Sequence, residues 1–437
     1  MGFRSLLTRK RWQIALLVCA AITVSYFDRQ TLPVAVRHIA NDIPIPDEKY
    51  AHLGTFFLLT YGLMYIIGGK LIDVLGTRLG FLLIMLFWSM ACASHGLATS
   101  FAMLAGSRLL LGIGEGGGFP AATKAVAEWF PVRERSTAMG IINAGTAVGG
   151  ILAPPAIAAV LLHFRWPWVF YFSGAAGLLW TVWWAWAYYL PARHPRLSAV
   201  ERAELEEVTS TRMERNQPSI PWLNLLRYRQ VWGLVIAKFL GDAVWYFISL
   251  WLPKYLMDTR GYDIKQVGYF AWIPWAAAGV GCLVIGSFSS LLVKRGLSLN
   301  KARKIAIGIS VSVMPCLLLV PLSSNFLVIV PFAIGYFGQQ AWSTLLMTLP
   351  ADIFPRRAVG AVAGLVGFGG AMGGIAFGEL AGQMLKYGAG YAPIFALAGT
   401  LHIISFFVVL LFIRDVRPLE IDTLKQKSLD MSHGAAR

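Results

Sequence analysis

The sequence predicts an all-α membrane protein with twelve transmembrane helices in two six-helix pseudo-symmetric halves. Three observations predict it: an apolar composition, a series of separate apolar segments, and a repeat that relates the two halves. The 437 residues are 57% hydrophobic and 14% charged, with a mean hydropathy of +0.61. Soluble domains carry roughly 25% charged residues, so the composition indicates a membrane protein.

About twelve apolar segments, each near the roughly 20 residues that cross a bilayer as a helix, are separated by charged residues, glycine or proline. Residues 1–11 and the apolar stretch after them could be mistaken for a signal peptide, but no convincing small-x-small cleavage site is present. We therefore expect the first segment to be a transmembrane helix. The predicted spans are 12–36, 51–72, 80–98, 101–129, 136–162, 168–190, 229–256, 266–292, 303–321, 326–350, 358–385 and 390–413.

Between the sixth and seventh spans lies the one long polar stretch of the sequence, residues 191–227. It divides the chain into an N-terminal half (1–190), a cytoplasmic linker (191–227) and a C-terminal half (228–437). The halves resemble each other at one constant offset. Chance is a poor explanation for so many matching positions without gaps. Glu128, Phe130, Pro131, Arg133, Gly140, Gly145, Gly149 and Gly150 recur as Asp352, Phe354, Pro355, Arg357, Gly364, Gly369, Gly373 and Gly374.

The net charge of +16 could suggest a nucleic-acid partner, but the basic residues follow the alternation of the loops. With the N-terminus inside, one side holds about 27 of the basic residues and the other about seven, as the positive-inside rule expects. We therefore expect both termini in the cytoplasm, the lipid bilayer as a partner and no nucleic acid. The four cysteines lie in apolar segments without metal-ligand spacing, so no metal is expected.

Charged residues inside the spans are the strongest functional signal. A charge at mid-bilayer costs roughly 2.5 to 3.5 kcal/mol, yet the fourth span carries both Arg108 and Glu115, two turns apart on one face. Asp28 and Arg29 lie about 25 Å along the first span at roughly 1.5 Å per residue. This depth predicts that Arg108, Asp28 and Arg29 share one level of a cavity, with Glu115 nearer the cytoplasm.

A division of labour follows from the chemistry of these groups. An arginine stays charged and presents a planar fork to carboxylates, whereas a buried carboxyl group can bind and release protons. We therefore expect Arg29 and Arg108 to bind an anionic substrate, and Asp28 and Glu115 to couple transport to protons. The alternative is that each is a static ion pair between helices.

Uncharged polar and aromatic residues in the spans are weaker candidates for substrate binding. Aromatic rings can stack on sugars and amides can bond hydroxyls, but both residue types also serve as ordinary helix packing or interhelical bonding. Lys238 and Asp242, one turn apart, favour a structural pair. Candidate substrate-binding residues are Asn143, Trp245, Tyr246, Gln339, Gln340 and Trp342.

The glycines around Glu115 formally match the dinucleotide pattern G-x-G-x-x-G. We reject a dinucleotide site because no strand precedes the pattern, it lies inside a predicted span, and a carboxylate would repel pyrophosphate. Close helix packing explains these glycines better.

A local motif follows the second span. Gly69, Asp73, Gly76 and Arg78 resemble the loop signature G-x-L-x-D-x-x-G-x-R of the major facilitator superfamily. This resemblance implies the major facilitator fold, in which two halves rock about a midplane site, and a cytoplasmic gate formed by these four residues. The basic residue that usually follows the aspartate is absent, and the matching loop of the second half has Ser290 in place of the acid. The alternative is a plain turn with anchoring charges.

Longer segments resemble the anion:cation symporter family, and within it the bacterial hexuronate transporters. They include 107–131, 134–146, 237–246, 250–255, 270–274, 294–304 and 352–360. The resemblance implies proton-coupled uptake of sugar acids, with Asp28, Arg29, Arg108 and Glu115 at the coupling and carboxylate-binding positions. It also implies a substrate contact for Tyr61. Glycine-rich residues 116–118 and a Gln339-Gln340 pair in place of His-Gln depart from the family pattern.

We therefore expect a bacterial inner-membrane symporter that imports a hexuronate such as glucuronate or galacturonate, by alternating access. Its partners are the small sugar-acid anion, protons as coupling ions and lipid; we expect no cofactor and a monomer. The alternatives are symport of another organic anion such as galactonate or glucarate, and drug:proton antiport on the same fold. The fifth span lacks the G-P-x-x-G-G arrangement associated with antiport. An enzyme finds no support, because no nucleophile or metal constellation is present.

Overall fold

A computed structural model describes residues 9–130, 134–195, 197, 201 and 222–419. Each of the twelve predicted spans corresponds to one helix or to two consecutive helical segments. The α-helices in chain order are α1 Lys10–Ala40, α2 Asp47–Leu75, α3 Thr77–Ser94, α4 Phe101–Gly116, α5 Gly118–Trp129, α6 Arg135–His163, α7 Pro167–Ala187, α8 Trp222–Leu225, α9 Arg229–Asp258, α10 Ile264–Phe270, α11 Ile273–Lys294, α12 Leu299–Ser312, α13 Ile329–Ile353, α14 Arg356–Lys386 and α15 Ala392–Phe412.

Seven of the described helical segments are long and apolar enough to cross a membrane by length and composition alone. The remaining predicted spans also fold as helices at the expected places. The all-α fold predicted from the sequence is therefore confirmed.

Three predicted spans are interrupted where the sequence forces a break. The fourth span divides at Gly117 into α4 and α5, and Pro120 in the first turn of α5 has no N–H to continue the helix. The eighth divides before Pro274, between α10 and α11. The ninth ends in a 3₁₀ helix, Met314–Leu319, in which Pro315 is near the start.

The repeat detected in the sequence reappears as a repeat of helix packing. A Cβ added to Gly149 in α6 would lie 2.4 Å from the carbonyl oxygen of Thr23 in α1. A Cβ added to Gly373 in α14 would lie 1.9 Å from the carbonyl oxygen of Phe239 in α9. Glycine is required at both positions because the backbones touch. The α1–α6 and α9–α14 contacts are therefore equivalent in the two halves.

The halves pack together along α1 with α9, α2 with α14, and α6 with α10 and α11. Every hydrogen bond and ion pair between described residues of the two halves lies at one end of the bundle, where α1 ends and α2 begins; we call this the closed end. Lys254 of α9 pairs with Asp47 at 2.7 Å, and Lys386 of α14 pairs with Glu48 at 2.6 Å.

Further contacts at the closed end involve the next turns of α2. His52 Nδ1 lies 2.9 Å from Glu379 Oε1, and Thr55 donates a hydrogen bond to the same carboxylate. Tyr50 donates to the carbonyl oxygen of Leu250 at 2.6 Å. The start of α2 is therefore bound to α9 and α14 at several points.

Candidate functional site

A cavity lies between the halves, next to the closed end. Its walls come from α1, α2 and α4 of the first half and from α9, α11 and α14 of the second. The polar and aromatic side chains that line it include Tyr26, Arg29, Arg108, Trp245, Tyr246 and Trp275. A site shared by both halves is where a carrier of this architecture holds its cargo.

Arg29 is held by a carboxylate on one side and by aromatic rings on the other. Its Nε donates to Glu115 Oε2 at 2.7 Å. The guanidinium carbon lies 4.6 Å from the ring centroid of Tyr26, 4.4 Å from that of Tyr61 and 5.4 Å from that of Phe57. This setting fixes the guanidinium group while its charge still reaches the cavity.

Glu115 is the acidic partner of this arginine. The carboxylate is buried, with Oε2 accepting hydrogen bonds from Arg29 and from Ser25 Oγ at 2.8 Å. Its Oε1 is also buried and has no hydrogen-bond partner among the described residues. The sequence predicted that Glu115 lies nearer the cytoplasm than the two arginines. The long side chain of Arg29 reaches across this distance to the carboxylate of Glu115.

Arg108 differs from Arg29 in having unsatisfied donors. It is 4% exposed, and its Nε and Nη2 make no hydrogen bond with any described residue. A buried N–H group without an acceptor is costly, so an anion in the cavity would stabilise this side chain. The predicted position of Arg108 beside Arg29 agrees with the cavity lining.

Asp28 is not one of the cavity-lining residues. Its side chain is fully buried and accepts a hydrogen bond from Ser173 of α7. The expectation that Asp28 lies with the two arginines at the cavity was therefore wrong, because adjacent residues of a helix point in different directions. Arg29 faces the cavity and Asp28 faces the interior of its own half.

Aromatic side chains of the second half form one wall. The ring centroids of Trp245 and Trp275 are 5.2 Å apart, and each lies 5.4 Å from that of Tyr336. Trp245 and Tyr246 line the cavity as the sequence suggested, whereas Tyr61 lies against Arg29. Flat apolar faces beside cationic groups suit a molecule with a carboxylate and a ring.

The remaining polar candidates are not cavity residues. Asn143 is exposed on α6, and Gln340 is half-buried on α13 without lining the cavity. Gln339 and Trp342 are buried between helices, where Gln339 bonds Asp242 and Trp342 packs edge-on against His402. The positions of Gln339 and Trp342 therefore fit the alternative to substrate binding, which was contact between helices.

The gate motif is described only in part. Gly69 and Asp73 lie outside the residues whose side chains the structure describes. Gly76 has φ +76° and separates α2 from α3, a conformation that favours glycine. Arg78 donates to the carbonyl oxygen of Ala185 at 2.9 Å and stacks on Tyr189. Arg78 thus ties the start of α3 to the end of α7.

Several residues of the site were missed by the sequence reasoning. Ser25 lies one turn before Arg29, and this spacing could have marked it as a neighbour. Tyr26, which lines the cavity, could have been found in the same way from its place on the Arg29 helix. Ser173 gave no signal beyond its polarity, because its pairing with Asp28 is long-range. In the described part of the chain no group of three metal-binding side chains is present.

The chain matches the family model described as Major Facilitator Superfamily over residues 18–378. It is similar to the hexuronate transporter of Escherichia coli strain K12, at 28% identity over 94% of this chain and 96% of that protein. It is also similar to the galacturonate transporter of Dickeya chrysanthemi, at 30% identity over 70% of this chain and 89% of that protein.

Among solved structures, a bacterial homologue of the human lysosomal transporter Spinster matches with a TM-score of 0.67 and 19% identity, over 92% of this chain and 95% of that one. The likeness supports the fold. The matches confirm the resemblance found in the sequence, and the protein is a multi-pass membrane transporter and not an enzyme. The chain belongs to the major facilitator superfamily.

Proposed function

We propose that the protein imports a hexuronate, such as glucuronate or galacturonate, by proton-coupled symport across the bacterial inner membrane. The observation that carries the proposal is Arg108, a buried guanidinium group with two unsatisfied nitrogen donors at a cavity that also holds Arg29. Charge-assisted hydrogen bonds from such a fork match a carboxylate. The names of the hexuronate and galacturonate transporters that resemble this chain support the same cargo.

The aromatic wall accounts for the rest of the molecule. With the carboxylate at the arginines, the sugar ring of a hexuronate would lie toward Trp245, Tyr246 and Trp275 on the opposite half. The cargo would then contact both halves at once. Binding energy shared between the halves is what couples occupancy to their relative movement.

Proton coupling follows from competition for Arg29. The substrate carboxylate and Glu115 are both acceptors for the same guanidinium group. When the substrate carboxylate binds Arg29, the buried Glu115 loses its counter-charge. Glu115 then binds a proton, because a buried carboxylate without a counter-charge is costly. Asp28, buried beside Ser173, is the second proton-binding candidate, behind the cavity wall.

Alternating access also requires an orientation. By the positive-inside rule, both termini and the linker at 191–227 lie in the cytoplasm, so the closed end faces outward. The site would then be separated from the outside by the ion pairs at the start of α2. Importing substrate requires that these contacts open, whereas release to the cytoplasm requires that they remain closed.

The decisive experiment is transport by the purified protein in liposomes. We expect labelled glucuronate or galacturonate to accumulate when an inward proton gradient is imposed, and not with a sodium gradient alone. Galactonate is tested in parallel because another organic anion is the main alternative. If neither hexuronate accumulates under a proton gradient, the proposed cargo is wrong, whether or not galactonate does. Accumulation with sodium alone contradicts proton coupling.

A further inference from the structure

The second half contains a buried polar cluster that the proposed mechanism does not use. Lys238 and Asp242, one turn apart on α9, are 6% and 7% exposed and form an ion pair with Nζ 3.0 Å from Oδ1. Lys238 also donates to Ser343 Oγ at 2.6 Å. Gln339 Nε2 donates to Asp242 Oδ1 at 3.4 Å, and His402 Nε2 bonds Gln339 Oε1.

The hydrogen bonds fix the protonation pattern of this cluster. A carboxylate can only accept, so the amide nitrogen of Gln339 faces Asp242 and the amide oxygen faces His402. His402 must therefore donate from Nε2. Its Nδ1 is buried without a partner among the described residues, so a proton there would have no acceptor and would create a second cation near Lys238. His402 is thus the neutral end of this series of hydrogen bonds.

Asp242 is the member of the cluster that can change its charge. When Asp242 is neutralised, Lys238 keeps a hydrogen bond to Ser343, so the lysine is not left without a partner. A Cβ on Gly370 of α14 would lie 2.3 Å from Asp242 Oδ2, and the glycine leaves that oxygen room. Both protonation states of Asp242 therefore fit the same surroundings.

A structural role explains the pair poorly. Both charges are on α9, so the attraction between them does not join α9 to any other helix. Buried ion pairs are often no more stabilising than apolar residues of similar size. The cluster reaches α13 and α15 only through Gln339, Ser343 and His402.

The cluster also lies within electrostatic range of the cavity. Tyr246, one turn after Asp242 on α9, lines the cavity, and so does Gly374, one turn after Gly370 on α14. The other groups that face Asp242 are Lys238 on its own helix, Gln339 on α13 and Gly370 on α14, with His402 of α15 behind Gln339. An anion arriving in the cavity repels the charge of Asp242 and favours its protonated form.

We infer that Lys238, Asp242, Gln339 and His402 form a proton-binding site in the second half, in which Asp242 takes the proton. Its link to cargo rests on the proposed function, because it needs an anion in the cavity. The proton binding itself does not. The site would give the second half its own charge change during transport, in addition to the carboxylates of the first half.

Infrared pH-difference spectra of the purified protein test the site without any substrate. On acidification we expect the wild type to gain a carboxylic-acid C=O component that is missing in Asp242→Asn. Asp258→Asn is the matched control: it removes the acid of another Lys–Asp pair with the same spacing on the same helix, Lys254–Asp258, and should keep the component. Identical spectra for wild type and Asp242→Asn would overturn the inference.

Asp242→Asn leaves Lys238 with Ser343 but without a counter-charge. The double variant Lys238→Met/Asp242→Leu removes both charges and should fold. It should lack the same component; a double variant that retains it overturns the assignment. Transport then separates the two proposals. If no sugar acid is carried but the component is lost in both variants, only the cargo is wrong. If sugar acids are carried and the spectra of Asp242→Asn match wild type, only this inference is wrong.

Discussion

Each half of the bundle holds a cation beside a buried carboxylate, but the two pairs are constructed differently. In the first half the ion pair joins two helices, with Arg29 on α1 and Glu115 on α4. In the second half Lys238 and Asp242 lie on one helix. Arg29 lines the cavity, whereas neither Lys238 nor Asp242 does.

The difference indicates what each pair can do. A pair between helices can be separated by a substrate that replaces one partner, and the first half adds Arg108 with unsatisfied donors beside it. A pair on one helix stays together whatever the helices do, and its neighbours satisfy it locally. The first pair suits the exchange of partners, and the second suits a change of charge in place.

The largest expected effect separates accumulation from binding. Glu115→Gln removes the carboxylate that competes for Arg29 but keeps the shape, so gradient-driven accumulation should fall to the equilibrium level. Exchange of labelled for unlabelled substrate across liposomes without a gradient should continue. If Glu115→Gln accumulates substrate as the wild type does, the inter-helix pair is not the coupling element.

Next in size is the loss of the free guanidinium group. Arg108→Ala should weaken sugar-acid binding by about 100-fold or more, since hydrogen bonds to charged groups contribute roughly 1.5 to 3 kcal/mol each. Isothermal titration of the detergent-purified protein measures it. Arg165→Ala, which removes an arginine with a 78% exposed side chain that does not line the cavity, serves as the control. Unchanged affinity in Arg108→Ala would make that arginine structural.

The stability of single and double variants should show that Lys238 and Asp242 do not join two helices. Lys238→Met leaves Asp242 buried without its partner and should destabilise the protein by about 3 kcal/mol, whereas Lys238→Met/Asp242→Leu should be near neutral. Thermal unfolding in detergent provides the comparison. A double variant as unstable as the single one would show that the pair joins the helices in a way its geometry does not suggest.

The smallest effect concerns the closed end and its dependence on pH. A hydrogen bond from Lys386 is the main cause that lowers the pKa of Glu48. Glu48 binds protons more weakly when the end is closed, so its preference for the closed state is present above the usual glutamate pKa of about 4.3. The preference is lost as the pH falls through the lowered value.

Spin labels attached at Pro44→Cys and Tyr387→Cys, one in each half near this end, report the distance between the halves by double electron–electron resonance. We expect acidification below the usual glutamate range to increase the separated fraction slightly, since exposed ion pairs contribute little. The variant Glu48→Gln should remove this pH dependence. A separation that responds equally in Glu48→Gln would assign the effect to another group.

The sequence predicted the fold well because each span is a local signal. The hydrophobic length of a segment does not depend on what the helix contacts. The breaks at Gly117 and before Pro274 could also have been read from glycine and proline. The repeat was visible because backbone contacts such as that of Gly149 with Thr23 allow only glycine.

The site was predicted in part. Depth along a helix predicted one level for Arg108 and Arg29 at roughly 1.5 Å per residue, and both residues line the cavity. Direction around the helix was not resolved, so Asp28 was expected at the cavity and lies against Ser173 instead. Gln339 contacts His402 across a long stretch of sequence, and no local pattern reports such a pairing.

The closed end has a consequence for inhibition. The contacts that join the halves there are made largely by the first turns of α2, with Asp47, Glu48, His52 and Thr55 facing α9 and α14. A molecule that binds this junction would keep the halves together without entering the cavity. Such an inhibitor need not resemble the cargo, and raising the cargo concentration would not displace it.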